Sequence, residues 1–226
     1  YTTKRGKAHK ECVGIVVSSS LELTQVNKLP GKQQTYGSGT DGATPGTFAD
    51  AGPDGLYFTA DDVSYGVNQS WGPSLAASGR TGYDAYDFFE TGKGWRNNIE
   101  VTGGNEETTF RLGIGNLNQS GMVPGSEFDR TSVRLTADTK LTSKVKMGGT
   151  VNYIHSKQVA VQNGSNLGGV MLGLLRAPVD YDLTQYTNSA GYQQNYFYIY
   201  DNPYYTSKEN PFTSNVNRVL GNVFLS

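Results

Sequence analysis

About six stretches of this chain alternate apolar and polar residues, and the gaps between them run long, short, medium, short and long. Alternation with a period of two puts apolar side chains on one face of a strand and polar side chains on the other. Tight turns at one end of the strands and large loops at the other are typical of a transmembrane β-barrel, whereas a soluble sandwich more often has short turns at both ends. We therefore predict an all-β fold, namely part of an antiparallel transmembrane barrel with long extracellular loops.

The predicted strands keep their charged residues on one face. In the first strand, Val13, Ile15 and Val17 share the face predicted to contact lipid, and Glu22 lies on the other face. An arginine facing lipid near the bilayer midplane would cost about 2–4 kcal/mol, so Arg111 marks the lumenal face of the third strand. The predicted strands cover residues 13–23, 97–102, 109–115, 131–137, 144–155 and 218–225.

The composition fits a barrel better than a soluble core. Apolar residues make up 36% of the chain, yet it contains 15 Tyr, 9 Phe and 29 Gly, which suits a polar lumen with aromatic rims. The sequence predicts no transmembrane helix, since it lacks a run of about 18 apolar residues. The net charge of -1 gives no basic footprint, so no nucleic-acid partner is predicted. Cys12 is the single cysteine, so no internal disulfide framework is predicted. The chain does not begin with Met, so we expect a fragment with its targeting segment upstream.

Two long segments, residues 26–96 and 157–215, are predicted to be loops, and both are rich in aromatic residues. Aromatic faces stack on sugar rings and give rigid contact area to other ligands. The same residues could instead form a rim girdle, pack the loops together or bind a partner. The candidate substrate-binding residues are Trp71, Tyr83, Tyr86 and Trp95.

The second long segment contains a helical pattern. Leu167, Val170 and Leu174 recur at helical spacing, Ser165 is positioned to cap the helix, and Pro178 follows it. The pattern predicts a short helix that packs within the loop.

The sequence carries little evidence for a metal or for catalysis. Its two histidines, His9 and His155, form no cluster with metal-ligand spacing, and no G-x-S-x-G motif is present. We therefore expect no enzyme activity and no cofactor, apart from a weak Ca²⁺ candidate in an acidic, glycine-bearing stretch. Its spacing does not fit an EF-hand loop, so a solvated acidic loop is the alternative. The Ca²⁺ candidate residues are Asp50, Asp54, Asp61 and Asp62.

Short motifs occur in a fixed order along nearly the whole chain. They include Ser70-Trp71-Gly72-Pro73 in the first long loop and Asn202-Pro203-Tyr204-Tyr205 near the end of the second. Others occupy residues 2–7, 18–20, 26–30, 87–92, 103–106, 110–112, 117–124, 128, 130 and 217–222. As an ordered set, the motifs resemble the SusC/RagA-like branch of TonB-dependent outer-membrane transporters, common in Bacteroidetes. Residues 39–67 do not match the family pattern. Asn116 stands where an aromatic residue is usual, which predicts that the third strand has reached the rim there.

The resemblance implies a barrel of about 22 strands closed by an N-terminal plug. Residues 1–8 would end the plug, and residues 9–226 would form the N-terminal part of the barrel in outer-membrane lipid. It also implies TonB-dependent nutrient uptake, with oligosaccharide as the first choice of substrate and oligopeptide as the second. A SusD-like lipoprotein would be the lid partner, and TonB would act through segments outside this chain. Two other interpretations stay open, namely a secreted or surface β-rich polysaccharide-binding or adhesion protein, and an outer-membrane hydrolase.

Overall fold

The computed structural model describes residues 13–43, 69–162, 164–188, 191–197 and 199–226. Its main element is a six-stranded antiparallel sheet in which the strands are neighbours in chain order. The strands are β1 (Gly14–Thr24), β2 (Gly92–Gly104), β3 (Thr108–Ser120), β4 (Glu127–Lys140), β5 (Lys146–Ala160) and β6 (Phe212–Leu225). The all-β prediction is confirmed, and these strands form an open sheet with β1 and β6 at its edges.

Short helices lie in the long loops. They are α1 (Leu75–Ser78), a 3-10 helix (Ala85–Phe88), α2 (Val170–Arg176) and α3 (Pro203–Glu209). Within the described ranges, no helix combines the length and the apolar character needed to cross a membrane.

Tight turns join β2 to β3 and β4 to β5. In the first turn, the Asn105 side chain accepts a hydrogen bond from the backbone N–H of Thr108 at 2.7 Å. Gly104 has a φ of +133°, and a Cβ at this position would overlap the carbonyl oxygen of Thr108. In the second turn, the backbone N–H of Leu141 donates to the carbonyl of Val145 at 2.9 Å. Both turns agree with the short gaps in the sequence pattern.

The strands extend further toward the long loops than the alternation predicts. β2 begins at Gly92 instead of residue 97, β3 continues to Ser120 instead of residue 115, and β6 begins at Phe212 instead of residue 218. Backbone pairing continues through these ends, but polar residues lie on both faces there. The sequence pattern stops because alternation marks a strand only where one face is apolar.

The register aligns apolar residues of all six strands on one side of the sheet, here named the apolar face. Two neighbouring rows of paired residues define it. They are Val17, Ile99, Ile114, Val133, Tyr153 and Val219, and then Ile15, Val101, Leu112, Leu135, Val151 and Gly221. Large side chains of these rows are 36% exposed at Val133 and 69% exposed at Val17. No core of described residues covers this face.

The buried apolar side chains lie in the loops rather than under the sheet. Among the described residues they are Leu29, Phe88, Val170, Leu174, Ala177, Val179 and Tyr196. They belong to the first long loop (residues 25–91) and the second long loop (residues 161–211), and we name the described parts of both loops the loop module. α2 places Val170 and Leu174 on one face, where they pack with Phe88.

The predicted helix is present, but its predicted cap is wrong. The residue at the N-cap of α2 is Gly169, which has no side chain to accept a hydrogen bond. Ser165 Oγ instead accepts from the backbone N–H groups of Leu167 and Gly168, at 3.3 and 3.0 Å. Ser165 therefore stabilises the turn that precedes the helix.

Candidate functional site

The side of the sheet opposite the apolar face, here named the polar face, carries every arginine of the six strands. Pairing places these residues in alternate rows with the apolar ones, so Phe110 and Arg111 point to opposite sides. Arg111 forms an ion pair with Glu100 on β2. The arginines are Arg96, Arg111, Arg130, Arg134 and Arg218. The two faces agree with the assignment made from the sequence.

A row of polar residues borders the apolar face on the side of the long loops. It consists of Ser19, Asn97, Asn116, Thr131, His155 and Asn217. Aromatic residues next to this row bond to it, since Trp95 Nε1 donates to Ser19 Oγ at 2.9 Å and Tyr153 Oη donates to Asn217 Oδ1 at 2.7 Å. Asn116 thus lies in a row of polar residues that crosses all six strands.

Beyond this polar row, toward the long loops, apolar residues recur unevenly on the same face. Leu21 and Leu23 on β1, Trp95 on β2 and Val159 on β5 lie beyond it. On β3, β4 and β6 the corresponding positions are polar or charged.

A cavity of about 180 Å³ lies between the two long loops. Ligand pockets usually measure about 300–1,000 Å³, so this cavity has room for one side chain or one ring rather than for an oligomer. Its lining combines aromatic rings with carboxylates and one lysine. The lining residues are Lys32, Tyr83, Asp84, Ala85, Asp87, Phe88, Leu174, Ala177, Pro178, Tyr181, Asp182, Leu183, Thr184 and Tyr204.

The 3-10 helix positions the part of the lining that comes from the first loop. The carboxylate of Asp84 caps this helix and accepts from the backbone N–H of Tyr86 at 3.0 Å. Phe88 is buried, and its ring packs edge-on against Tyr204 with the centroids 4.8 Å apart. Asp87 stays exposed beside it. One residue thus anchors the helix while its neighbour offers a carboxylate to the cavity.

A buried asparagine positions the part of the lining that comes from the second loop. Asn202 Oδ1 caps α3 by accepting from the backbone N–H of Tyr204 at 2.9 Å, and Asn202 Nδ2 donates to the carbonyl of Leu183 at 3.0 Å. Burial raises the pKa of Tyr204, and the nearby Asp87, Asp182 and Glu90 raise it further. The Tyr204 hydroxyl therefore lies in a region of negative potential.

Lys32 connects the two loops beneath the cavity. Its Nζ donates to the carbonyl of Ala177 at 2.7 Å and to that of Leu174 at 3.4 Å, at the C-terminal end of α2. A cation at this end is favoured by the helix dipole. Burial lowers the pKa of Lys32, and Asp84 acts in the opposite direction.

The residues predicted to bind substrate do not line one site. Tyr83 lines the cavity and is held there because its backbone N–H donates to the carbonyl of Val179 at 2.7 Å. Tyr86 lies outside the lining, and its hydroxyl accepts from the backbone N–H of Leu29 at 2.8 Å. Tyr86 therefore has a clear role in packing the first loop.

The two tryptophans lie elsewhere. Trp71 is 62% exposed, and its ring centroid is 6.1 Å from that of Tyr36. Trp95 belongs to β2, in the same set of alternate positions as Ile99. The sequence did not single out Lys32, Asp182 or the individual role of Tyr204 in the cavity. Only Asn202-Pro203 gave a local signal, because asparagine before proline is a helix start.

The Ca²⁺ candidate residues Asp50, Asp54, Asp61 and Asp62 lie outside the described residues. Across the part of the chain that the structure describes, no three His, Cys, Asp or Glu residues form a group that could hold a metal ion.

No protein-family model matches the chain, and no curated protein matches it. Its fold is similar to chains in solved structures of the RagAB peptide importer, in the "closed-closed" and "open-open" states. Each comparison has a TM-score of 0.57 and 18% identity and covers 99% of this chain. The chain covers 27% and 26% of the matched chains, so it spans about a quarter of their length. The comparison therefore shows that the all-β fold of this chain is similar to the fold of a segment of those chains.

Proposed function

We propose that this chain forms part of the wall and the extracellular loops of a TonB-dependent importer of the SusC/RagA-like type in the bacterial outer membrane. The observation that carries the proposal is the apolar face, which crosses six strands without a core of described residues over it, opposite a face with five arginines. Lipid would solvate the first face, and an aqueous or protein-filled lumen would solvate the second. Open sheet edges are not tolerated in hydrocarbon, so further strands would close the barrel, to about 22 in all.

The proposed import involves partners that follow from the family resemblance. Residues 1–8 would belong to the plug, TonB would act through segments outside this chain, and a SusD-like lipoprotein would cover the loop module. The substrate would be an oligosaccharide or an oligopeptide, and the fold similarity to a peptide importer gives the second class equal weight. The proposed activity is transport without a catalytic step.

Two neighbouring positions on β4 test the membrane assignment in the full-length gene product. Val133 lies on the apolar face and Ser132 on the polar face. Val133→Arg should reduce outer-membrane assembly strongly, because arginine in lipid costs about 2–4 kcal/mol, while Ser132→Arg adds the same side chain on the lumenal side. Assembly is measured by membrane fractionation and by the heat-dependent shift of the folded barrel in gel electrophoresis.

Two results would overturn the proposal. Equal tolerance of both substitutions would mean that the apolar face does not contact lipid. A full-length protein that purifies from the soluble fraction without detergent would instead favour the secreted polysaccharide-binding interpretation.

A further inference from the structure

We propose that the cavity between the long loops binds a cationic side chain, an ammonium or a guanidinium, carried by the transported ligand. The source of that ligand rests on the proposed import function. The recognition itself rests on the walls, the charge and the size of the cavity.

The walls of the cavity include aromatic rings, which attract cations at their faces. They come from Tyr83, Phe88, Tyr181 and Tyr204. The chain already places one of its own ammonium groups against one ring of this lining. Lys208 Nζ lies 5.4 Å from the ring centroid of Tyr204 and 5.1 Å from that of Tyr186, which lies outside the lining, and the two rings are stacked 6.2 Å apart. The Tyr204 ring therefore already contacts a cation.

One carboxylate of the lining has no hydrogen-bond or ion-pair partner among the described residues. Asp84 caps the 3-10 helix, and Asp182 Oδ1 accepts from the backbone N–H and the hydroxyl of Thr184 at 3.0 and 2.6 Å. The carboxylate of Asp87 makes no hydrogen bond or ion pair with any described residue. Asp87 is therefore the side chain best placed to meet a charged ligand.

Two cations lie near the cavity. Lys32 is the only cation among the described residues of the lining, and its Nζ is directed to the carbonyls of Leu174 and Ala177, while Lys208 lies against the ring of Tyr204. Burial raises the pKa of Tyr204, and Asp87 and Asp182 raise it further, so these carboxylates act on the Tyr204 hydroxyl. A positive ligand is complementary to these carboxylates.

The carboxylate of Asp87 favours a ligand that donates hydrogen bonds. Ammonium and guanidinium groups only donate, whereas sugar hydroxyls both donate and accept. Lys32 Nζ and the Thr184 hydroxyl already donate within the protein, and the tyrosine hydroxyls of the lining can both donate and accept. The volume of about 180 Å³ suits a single long side chain.

The test uses the full-length protein in detergent and two capped tripeptides, acetyl-Gly-Lys-Gly-amide and acetyl-Gly-norleucine-Gly-amide. Calorimetric titration should show the lysine peptide binding about tenfold or more tighter, a difference of about 1.4 kcal/mol. Asp87→Asn should remove this preference without affecting the fold, because the carboxylate has no partner among the described residues. Tyr83→Leu should weaken binding by removing an aromatic wall.

A matched control lies at the other end of the sheet. Glu106→Gln in the β2–β3 turn removes one negative charge far from the cavity and should leave the affinity unchanged. Equal affinity for the two peptides, or an unchanged preference in Asp87→Asn, would overturn the proposal. The proposal would also be overturned if a neutral oligosaccharide bound in a way that depends on Asp87 and the lysine peptide did not bind.

This binding test is separable from the import proposal. If the preference is present but cells expressing the protein take up no substrate, import fails and cation recognition stands. If uptake is intact but Asp87→Asn changes neither binding nor uptake of lysine-containing peptides, cation recognition fails and import stands.

Discussion

The guanidinium of Arg80 lies 2.8 Å from the carboxylate of Asp180, and the two residues belong to different long loops. The Asp180 side chain is 3% exposed, and it also accepts from the backbone N–H of Ser38 at 2.7 Å and from Ser38 Oγ at 3.1 Å. A single buried carboxylate therefore holds together two segments of the first loop and one of the second.

We expect Arg80→Met to loosen the loop module while the sheet stays intact. The substitution leaves a buried carboxylate with fewer donors, at a cost of roughly 1–3 kcal/mol. The cost is below that of a fully buried pair, because the Arg80 side chain is 30% exposed. Limited proteolysis of the full-length protein should show faster cleavage within the loops. Arg130→Met, on the polar face of β4, is the control and should leave the cleavage rate unchanged.

Tyr196→Phe should stabilise the loop module. Tyr196 is fully buried, and its hydroxyl has no hydrogen-bond partner among the described residues. Removing an unsatisfied buried hydroxyl relieves about 1 kcal/mol or more of desolvation cost. Slower hydrogen exchange of loop amides, with no change in Tyr192→Phe at an exposed position, would confirm this. Faster exchange in Tyr196→Phe would mean that the hydroxyl is satisfied.

The same residue predicts an alkaline limit of stability. Burial raises the pKa of Tyr196 above its ordinary value of 10.0, so the unfolded loops lose this proton first. The folded state then binds more protons than the unfolded state above about pH 10, and stability falls as the pH rises further. Tyr196→Phe should flatten this fall, leaving the smaller contribution of Tyr204, whose pKa is also raised. Melting curves between pH 8 and about 11 measure the difference.

Gly104→Ala should impair formation of the β2–β3 hairpin. Gly104 has a φ of +133°, and a Cβ there would overlap the Thr108 carbonyl, so we expect a cost of about 1–3 kcal/mol. Gly113→Ala in β3 is the control, since its Cβ would meet nothing within 4 Å. The fraction of folded protein in the outer membrane should fall in the first variant only. A similar loss in both would mean that any side chain on these strands is harmful.

The proposed barrel makes a prediction about depth, because strands of membrane barrels tilt by about 35–45° and residues of one row of pairs then lie at different depths. After Cys12→Ser, single cysteines at Leu23 and Val219 should both be protected from a water-soluble thiol reagent in membranes. Thr213→Cys should react, although Thr213 lies in the same row of paired residues as Leu23. Equal reactivity of Leu23→Cys and Thr213→Cys would show that the rows run parallel to the membrane.

The faces of the strands could be predicted from the sequence because they depend on a local period. Phe110, Arg111 and Leu112 alternate, and pairing with any neighbour preserves that alternation. The ends of the strands could not be predicted, because Gly92 and Phe212 begin segments with polar residues on both faces. There the chain carries no periodic signal, although the backbone continues to pair.

The cavity was predictable only in part, since its residues meet across large separations in sequence. Tyr83 was found because aromatic residues are conspicuous, but Lys32 reaches a carbonyl 145 residues away. No local rule indicates such a contact. The rule for helix caps also failed at Ser165, where the chain forms a turn before α2 begins.

The division of the core between two loops has a consequence for folding. Phe88 lies just before β2 and Leu174 after β5, so the relative position of these two side chains depends on the pairing of the four strands between them. A slip of one residue in any of those pairings would shift one loop by about 3.3 Å against the other and invert the faces beyond it. Ligand binding by the loops would then depend on whether the strands of the sheet have paired in the correct register.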